Sequence, residues 1–239
     1  IFDLKEQYKT ISKEVNKNLL GILSSGQYIL GKNLLKLEEN FSKYIGSNYA
    51  VGCNSGTDAL LLSLRAMNIG PGDEVITSPF SYFATAEVIA LTGARPVFAD
   101  INPHTFNINH KLIEKLITKK TKAIIPVHLY GQACEITEIR KICRKYNLIL
   151  IEDCAQSFGA KMNNQYTGTF GQFGCFSFFP TKNLGCAGDG GMIVTNSLQK
   201  AKILKKLRNH GGLVRNIHEY IGYNSRLDEI QASILLTKL

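Results

Sequence analysis

Through residues 1–49 the apolar positions (Leu19, Leu20, Ile22 and Leu23, then Leu34, Leu35 and Leu37) fall at irregular helical spacing in a polar background, which predicts a helical N-terminal segment. From residue 50 the pattern changes. Short apolar runs at 50–53, 74–77, 96–99, 123–127 and 148–151 read as strands, and stretches at 57–67, 84–91, 110–117 and 136–146 read as helices. The helix at 57–67 carries Leu60, Leu61, Leu64 and Met67 at helical spacing and ends before Gly70-Pro71-Gly72, a strong breaker. The strands are continuous apolar runs rather than alternating ones, so both of their faces are buried. Such strands, separated by helices, predict an α/β fold of three layers, a mostly parallel sheet between two layers of helices. Ligands bind beyond the carboxyl ends of the strands in these sheets, so chemistry is sought just after each strand.

Residues 158–195 read differently, with Gly168, Gly171 and Gly174 at turns and short β segments at 175–179 and 192–195. Between Gln199 and Arg215 come Lys200, Lys202, Lys205, Lys206, Arg208 and Arg215 without an acid, a run that suits either a solvated helix face or an anionic partner. The chain has 239 residues and a net charge of +9, with 44% apolar and 20% charged residues; a disordered chain, a collagen and a small disulfide scaffold are excluded. The basic balance points to nucleic acid, a membrane surface or a phosphorylated small molecule. No apolar run approaches the ~20 residues of a membrane-spanning helix. The acid-bearing start, Ile1-Phe2-Asp3-Leu4-Lys5-Glu6, is not a signal peptide. Cys53, Cys134, Cys143, Cys154, Cys175 and Cys186 include no Cys-x-x-Cys pair, and the histidines no His-x-x-x-His pair, so no metal site is expected. The cysteines read as reduced, buried thiols of a cytoplasmic protein. The chain begins at Ile1 and stops at Leu239 inside a predicted helix, 226–239, which raises the expectation of a fragment.

Three segments at strand ends carry candidate chemistry. Asn54-Ser55-Gly56-Thr57-Asp58 follows a strand and opens a helix, whose free N–H groups and partial positive charge suit a phosphate; the alternative is a plain cap by Ser55 or Thr57. Its spacing is neither a Walker loop nor a dinucleotide fingerprint. Glu152-Asp153-Cys154-Ala155-Gln156 puts two carboxylates at the end of a buried strand, either facing a ligand or serving as a structural ion pair or cap. Ser177-Phe178-Phe179-Pro180-Thr181-Lys182-Asn183-Leu184-Gly185 sets a lysine between an aromatic strand and the turn Gly188-Asp189-Gly190-Gly191. Enclosed, that lysine is a nucleophilic amine; otherwise it is a surface lysine in a loop. Together, an anion-binding helix start, a strand-end acid and an enclosed lysine are the parts that hold pyridoxal phosphate (PLP). The phosphate takes the helix terminus, the acid pairs with the pyridinium nitrogen, and the lysine forms a Schiff base with the aldehyde.

These motifs, with Ser55-Gly56-Thr57-Asp58-Ala59-Leu60, Val127-His128-Leu129-Tyr130-Gly131-Gln132, Gln27-Tyr28-Ile29-Leu30-Gly31 and Gly222-Tyr223-Asn224-Ser225-Arg226-Leu227-Asp228-Glu229, span nearly the whole chain. Over that length the chain resembles the DegT/DnrJ/StrS family of PLP-dependent sugar aminotransferases. The resemblance implies the large domain of the aspartate-aminotransferase fold (PLP fold type I) over residues 1–239, with a helical segment at about 1–49 and the core at 50–239. It implies Lys182 as the catalytic, cofactor-linked lysine, Asp153 on the pyridine nitrogen and Gln156 on the ring hydroxyl, with Gly56, Thr57 and Ser177 at the phosphate. Tyr82, in Ser81-Tyr82-Phe83-Ala84-Thr85, matches the aromatic that stacks on the ring, a core aromatic beside Phe80 and Phe83 being the alternative. Asn224 matches a residue that reaches the partner subunit's phosphate, which implies a homodimer with a shared site.

Family dehydratases carry histidine in place of the lysine, so Lys182 implies transamination. By family habit the amino donor is glutamate and the acceptor a keto group on a nucleotide-linked sugar, in polysaccharide or amino-sugar biosynthesis. The segment 180–191 looks most like members acting on 3-keto sugars; members acting at C4 more often carry Glu where Asp189 stands. The alternative is a PLP-binding regulator without catalysis. A nucleic-acid binder using 199–215 has no groove-reading motif beside that run. Family members continue into a smaller C-terminal domain. Its apparent absence predicts a cofactor-binding core lacking part of the substrate site and, for a polypeptide ending at Leu239, PLP binding with weak or absent transamination.

Overall fold

A computed structural model describes residues 3–239; Ile1 and Phe2, at the head of the acid-bearing start, lie outside the described residues. The N-terminal helical segment is a pair, α1 (Leu4–Ser25) and α2 (Lys32–Ile45). Next come β1 (Tyr49–Cys53), α3 (Gly56–Ala66), β2 (Glu74–Thr77), α4 (Ala84–Leu91), β3 (Arg95–Phe98), α5 (His110–Ile113), β4 (Thr121–Ile125), α6 (Ile136–Lys145) and β5 (Ile149–Asp153). The remainder is β6 (Lys161–Met162), β7 (Gln165–Tyr166), β8 (Phe173–Ser177), β9 (Gly191–Thr195), α7 (Leu198–Leu207) and α8 (Glu229–Lys238). Seven strands form one sheet in the order β1-β9-β8-β5-β4-β2-β3, and β6 and β7 form a small hairpin. Every neighbouring pair in the large sheet is parallel except those of β9, which runs antiparallel to both β1 and β8.

Helices cover both faces because the central strands are apolar on both sides. Ile125 of β4 packs beneath α3 with Leu62 and Leu64, whereas its neighbour Ile124 points to the opposite face and meets Ile136 and Ile139 of α6. Further along that opposite face, Phe41 of α2, Phe176 of β8 and Leu235 of α8 form another cluster. Burying one such side chain contributes about 1.5–3 kcal/mol, so packing against the sheet, more than helix propensity, holds α6 in place.

The boundaries differ from the predicted ones where hydrogen bonding overrides polarity. β5 runs past its apolar run to Asp153, because the Asp153 N–H donates to Pro126 O and the His128 N–H to Asp153 O. β8 stops at Ser177, short of the predicted residue 179, as the chain turns away at Pro180. α5 ends at Ile113 and tightens into a 3-10 turn over Glu114–Leu116. The last helix opens at Glu229, where the Asp228 side chain caps the Gln231 N–H. The basic run at 199–215 is helical only through Leu207. Ala201, Leu204 and Leu207 are buried, and Arg208 and Lys205 pair with the buried Glu38, so part of that charge is committed within the chain. Among the described residues no helix is long and apolar enough to cross a membrane.

Candidate active site

At the carboxyl ends of β5 and β8 lies a cavity of about 460 Å³. Of the residues expected at the site, Gly56, Thr57, Tyr82, Asp153, Gln156, Ser177 and Lys182 line it; Thr85, Phe179 and Asp189 line it as well. Asn224 does not. It is exposed, outside the cavity, and bridges Asn209.

The strand pleat separates the two acids at the end of β5, since successive side chains point to opposite faces. Asp153 faces the cavity and is 5% exposed. Its Oδ2 accepts from Thr85 Oγ1 at 2.8 Å and its Oδ1 from the Ala155 N–H at 3.1 Å. Burial pushes this carboxyl above the ordinary carboxylate range, opposed by the donors from Ala155 and Thr85 and by the Lys182 cation nearby. Glu152 is fully buried on the other face. Its Oε1 accepts from the N–H groups of Phe170 (2.7 Å) and Gly171 (2.8 Å), and its Oε2 from the Gly168 N–H (2.8 Å). The Cys134 N–H donates to His128 Nδ1 at 3.0 Å, so the ring proton sits on Nε2 and is donated to Glu152 Oε2 at 3.0 Å. Glu152 is thus the structural acid of the pair and Asp153 the ligand-facing one. His128, Glu152 and Cys154 bring metal-ligand atom types within 4.8 Å of one another. The imidazole and carboxylate lone pairs there already receive N–H donors, so the cluster reads as a hydrogen-bonded buttress.

The start of α3 divides its work in the same way. Ser55 Oγ caps the Asp58 N–H at 3.0 Å, which leaves the N–H groups of Gly56 and Thr57 at the helix mouth beside the cavity. Two close approaches demand glycine. A Cβ on Gly56 would stand 2.6 Å from Ser177 Cβ, and one on Gly191 would run into the Ser55 carbonyl oxygen. Lys182 is placed by a tight turn: its N–H donates to Phe179 O at 2.8 Å, with Pro180 at the second turn position, and its half-buried side chain lines the cavity. Tyr82 is 77% exposed on the cavity wall, and Phe80 and Phe83 are exposed too, so none of the three is a core aromatic. Gln156 Oε1 accepts from the Tyr130 N–H at 2.7 Å; because that N–H can only donate, the amide orientation is set and its NH2 is left for other partners.

Thr85 and the Ala155 N–H were not legible as site groups. Thr85 stands three residues after Tyr82, in the first turn of α4, yet nothing in the sequence says that its hydroxyl meets residue 153. Asp189 entered only as a marker of sugar position and proves to line the same cavity.

PLP fits these residues. An anion can be taken at the open mouth of α3 beside the Ser177 hydroxyl, a buried acid waits for a pyridinium, and an amine lines the same space. Such a cavity, in a sheet whose one reversed strand lies second from the edge, puts the chain among the PLP fold type I proteins. Within them it belongs to the DegT/DnrJ/EryC1/StrS aminotransferase family, whose sequence pattern matches residues 9–239. Aminotransferases of this family are PLP-dependent. The pleiotropic regulatory protein of Geobacillus stearothermophilus is 48% identical over 238 residues, covering 100% of this chain and 64% of that protein. The UDP-2-acetamido-2-deoxy-3-oxo-D-glucuronate aminotransferase of Pseudomonas aeruginosa is 46% identical over 237 residues, covering 99% and 66%. The crystal structure of NtdA from Bacillus subtilis with bound cofactor PMP matches with a TM-score of 0.90 at 36% identity, covering 95% of this chain and 52% of that one. The chain therefore spans less than two thirds of the length of these relatives.

Proposed function

We propose that residues 1–239 are the PLP-holding large domain of an aminotransferase that moves an amino group from glutamate to the 3-keto group of a nucleotide-linked hexose, in amino-sugar or polysaccharide biosynthesis. One observation carries this reading: Lys182 and the buried Asp153 line a single cavity together with the open start of α3. The 3-oxo substrate in the name of the Pseudomonas relative supports the sugar position, as does Asp189.

When bound, PLP supplies an electron sink for the carbon that loses a proton. Lys182 would anchor the cofactor and, once displaced by the amino donor, its Nζ would take the proton from the donor's α-carbon as a base and then give it up as an acid at a different carbon, so that the proton is shifted rather than put back. Asp153, when ionised, would keep a proton on the pyridine nitrogen. The Gln156 NH2 would donate to the ring hydroxyl, the Gly56 and Thr57 N–H groups with the Ser177 hydroxyl would hold the phosphate, and Tyr82 would supply the aromatic wall beside the ring. Asn224 serves the phosphate of a second copy in a homodimer, a role supported by its exposure and by the exposed Leu213, Val214, Ile217 and Ile221 nearby in sequence. The free, buried cysteines support a reducing, cytoplasmic setting.

Added PLP is expected to give a visible absorbance band that borohydride abolishes and that Lys182→Ala never shows. In a polypeptide that also spans the rest of its relatives' length, glutamate should bleach the band, and a 3-keto nucleotide sugar should restore it better than a 4-keto one. A chain with Lys182 intact that takes up no PLP overturns the reading. The name of the Geobacillus relative favours a second one, a PLP-holding regulator. Its signature is a band that persists when glutamate is added.

A further inference from the structure

Asp153 has to be ionised and correctly turned to hold a proton on a pyridine nitrogen, yet it sits where burial favours its neutral form. Its donors are unequal. The Ala155 N–H comes from its own turn, two residues along, and reaches Oδ1 at 3.1 Å. The Thr85 hydroxyl comes from the first turn of α4, across the cavity floor, and reaches Oδ2 at 2.8 Å. Thr85 is 2% exposed, so water does not compete for that hydroxyl. The other titratable groups about Asp153 are Lys182 from the loop after β8, His128 after β4, and the buried thiol of Cys175, its register partner on β8, while Tyr82 and Asp189 line the same cavity. Only Lys182 among these is a standing cation, and it is the group displaced during the reaction proposed above.

We propose that Thr85 is a positioning residue: its hydroxyl fixes the plane and the ionised state of Asp153, so that this carboxylate can keep the proton on the pyridine nitrogen of the cofactor. The inference rests on the functional reading above for the identity of the cofactor, but not for the Thr85–Asp153 link itself. Tyr82 lies just before α4 and Thr85 in its first turn, and the Thr85 N–H donates to Tyr82 O at 3.4 Å, so one short segment places both the exposed aromatic on the wall and the support of the acid.

The test compares Thr85→Val, which keeps the shape and removes the donor, with Thr85→Ser, which restores the donor; Thr85→Ala replaces the valine variant if that one does not fold. In the PLP-free chain, carboxyl carbon NMR follows the Asp153 titration. Loss of the hydroxyl should raise its midpoint by about one pH unit, a tenfold change in acid dissociation, and serine should return it. With PLP added, the valine variant should bind about tenfold more weakly at acidic pH and converge on the parent as pH rises, because the unsupported carboxyl protonates first. Pyridine-15N-labelled PLP should report loss of the ring-nitrogen proton in the valine variant at a pH where the parent and the serine variant keep it. A purely structural threonine would lower thermal stability without moving either titration, and that result overturns the proposal. A parent chain that binds no PLP overturns the functional reading and the cofactor half of this one, while the PLP-free titration still judges the link to Thr85.

Discussion

The neighbouring acids on β5 should fail in opposite ways. Glu152→Gln keeps the volume of a fully buried side chain but replaces one acceptor oxygen with an NH2 group. Whichever way the amide turns, that NH2 faces two donors, either the N–H groups of Phe170 and Gly171 or those of Gly168 and His128 Nε2. Each lost bond to a charged acceptor is worth about 1.5–3 kcal/mol, and removal of a buried charge offsets part of the loss. A net destabilisation of about 3 kcal/mol lowers the Tm of a chain this long by roughly 6–12 °C. Asp153→Asn should do the reverse. Burial raises the folded-state pKa of Asp153 above its unfolded value, so the folded chain binds that proton more tightly than the unfolded one does. Stability of the PLP-free chain therefore falls as pH rises from the ordinary carboxylate range through the folded value. Asparagine removes that cost, so the variant melts at or above the parent at neutral pH while PLP binding collapses. Calorimetry with and without PLP reads both effects. A Glu152→Gln chain melting within about 2 °C of the parent, or a PLP-free Asp153→Asn chain as unstable as Glu152→Gln, refutes the division of labour by the pleat.

Gly56→Ala forces its Cβ to within 2.6 Å of Ser177 Cβ, so the start of α3 shifts and the phosphate cradle opens; overpacking of about 1–3 kcal/mol should weaken PLP binding about tenfold or more, read by titrating the visible band. Glu229 takes the N–H groups of Gly31, Asn33 and Leu34 and the Asn33 amide, each at 2.9 Å, so Glu229→Gln should lose about 2–4 kcal/mol in a denaturant melt with unchanged m-value. Burial pushes the thiols of Cys154 and Cys186 up to about 11 and that of Cys143 to about 12. A disulfide reagent at mildly alkaline pH should leave the native thiols unlabelled and titrate all six cysteines in denaturant.

What was legible in the sequence follows from which interactions are local. The alternation of apolar runs and helices announces a mostly parallel sheet because burial on both faces leaves no polar positions in the central strands. The reversed strand β9 was not legible, since Gly191–Thr195 is as apolar as its parallel neighbours and direction leaves no mark on composition. Residue type and position alone did not sort Glu152 from Asp153; only the family resemblance singled out Asp153. Their difference is a single step of the pleat, and the apolar run ends before them although the hydrogen-bonded ladder continues. Long-range caps were hidden for the same reason. Glu229 closes the start of α2 from the far end of the chain, and Glu38 meets Arg208 across it. Lys182 was legible only in combination with the other two strand-end segments; its turn with Pro180 is local in sequence, but the cavity its side chain lines is built by residues far away in the chain.

The reversed strand also bears on the order in which the protein comes together. Lys182 rides in the connection between β8 and β9, an antiparallel pair closed by residues near one another in sequence, so the lysine loop can be ordered early. β1 has β9 as its single neighbour in the sheet, and β1 delivers Ser55, Gly56 and Thr57. As the polypeptide leaves the ribosome, β1 therefore waits for β9 before it can join the sheet. The side of the cavity that β1 delivers is in place only after Lys182, on its other side, has been synthesised. A nascent chain interrupted before β9 would display neither half of the site and would leave β1 an unpaired edge open to other chains.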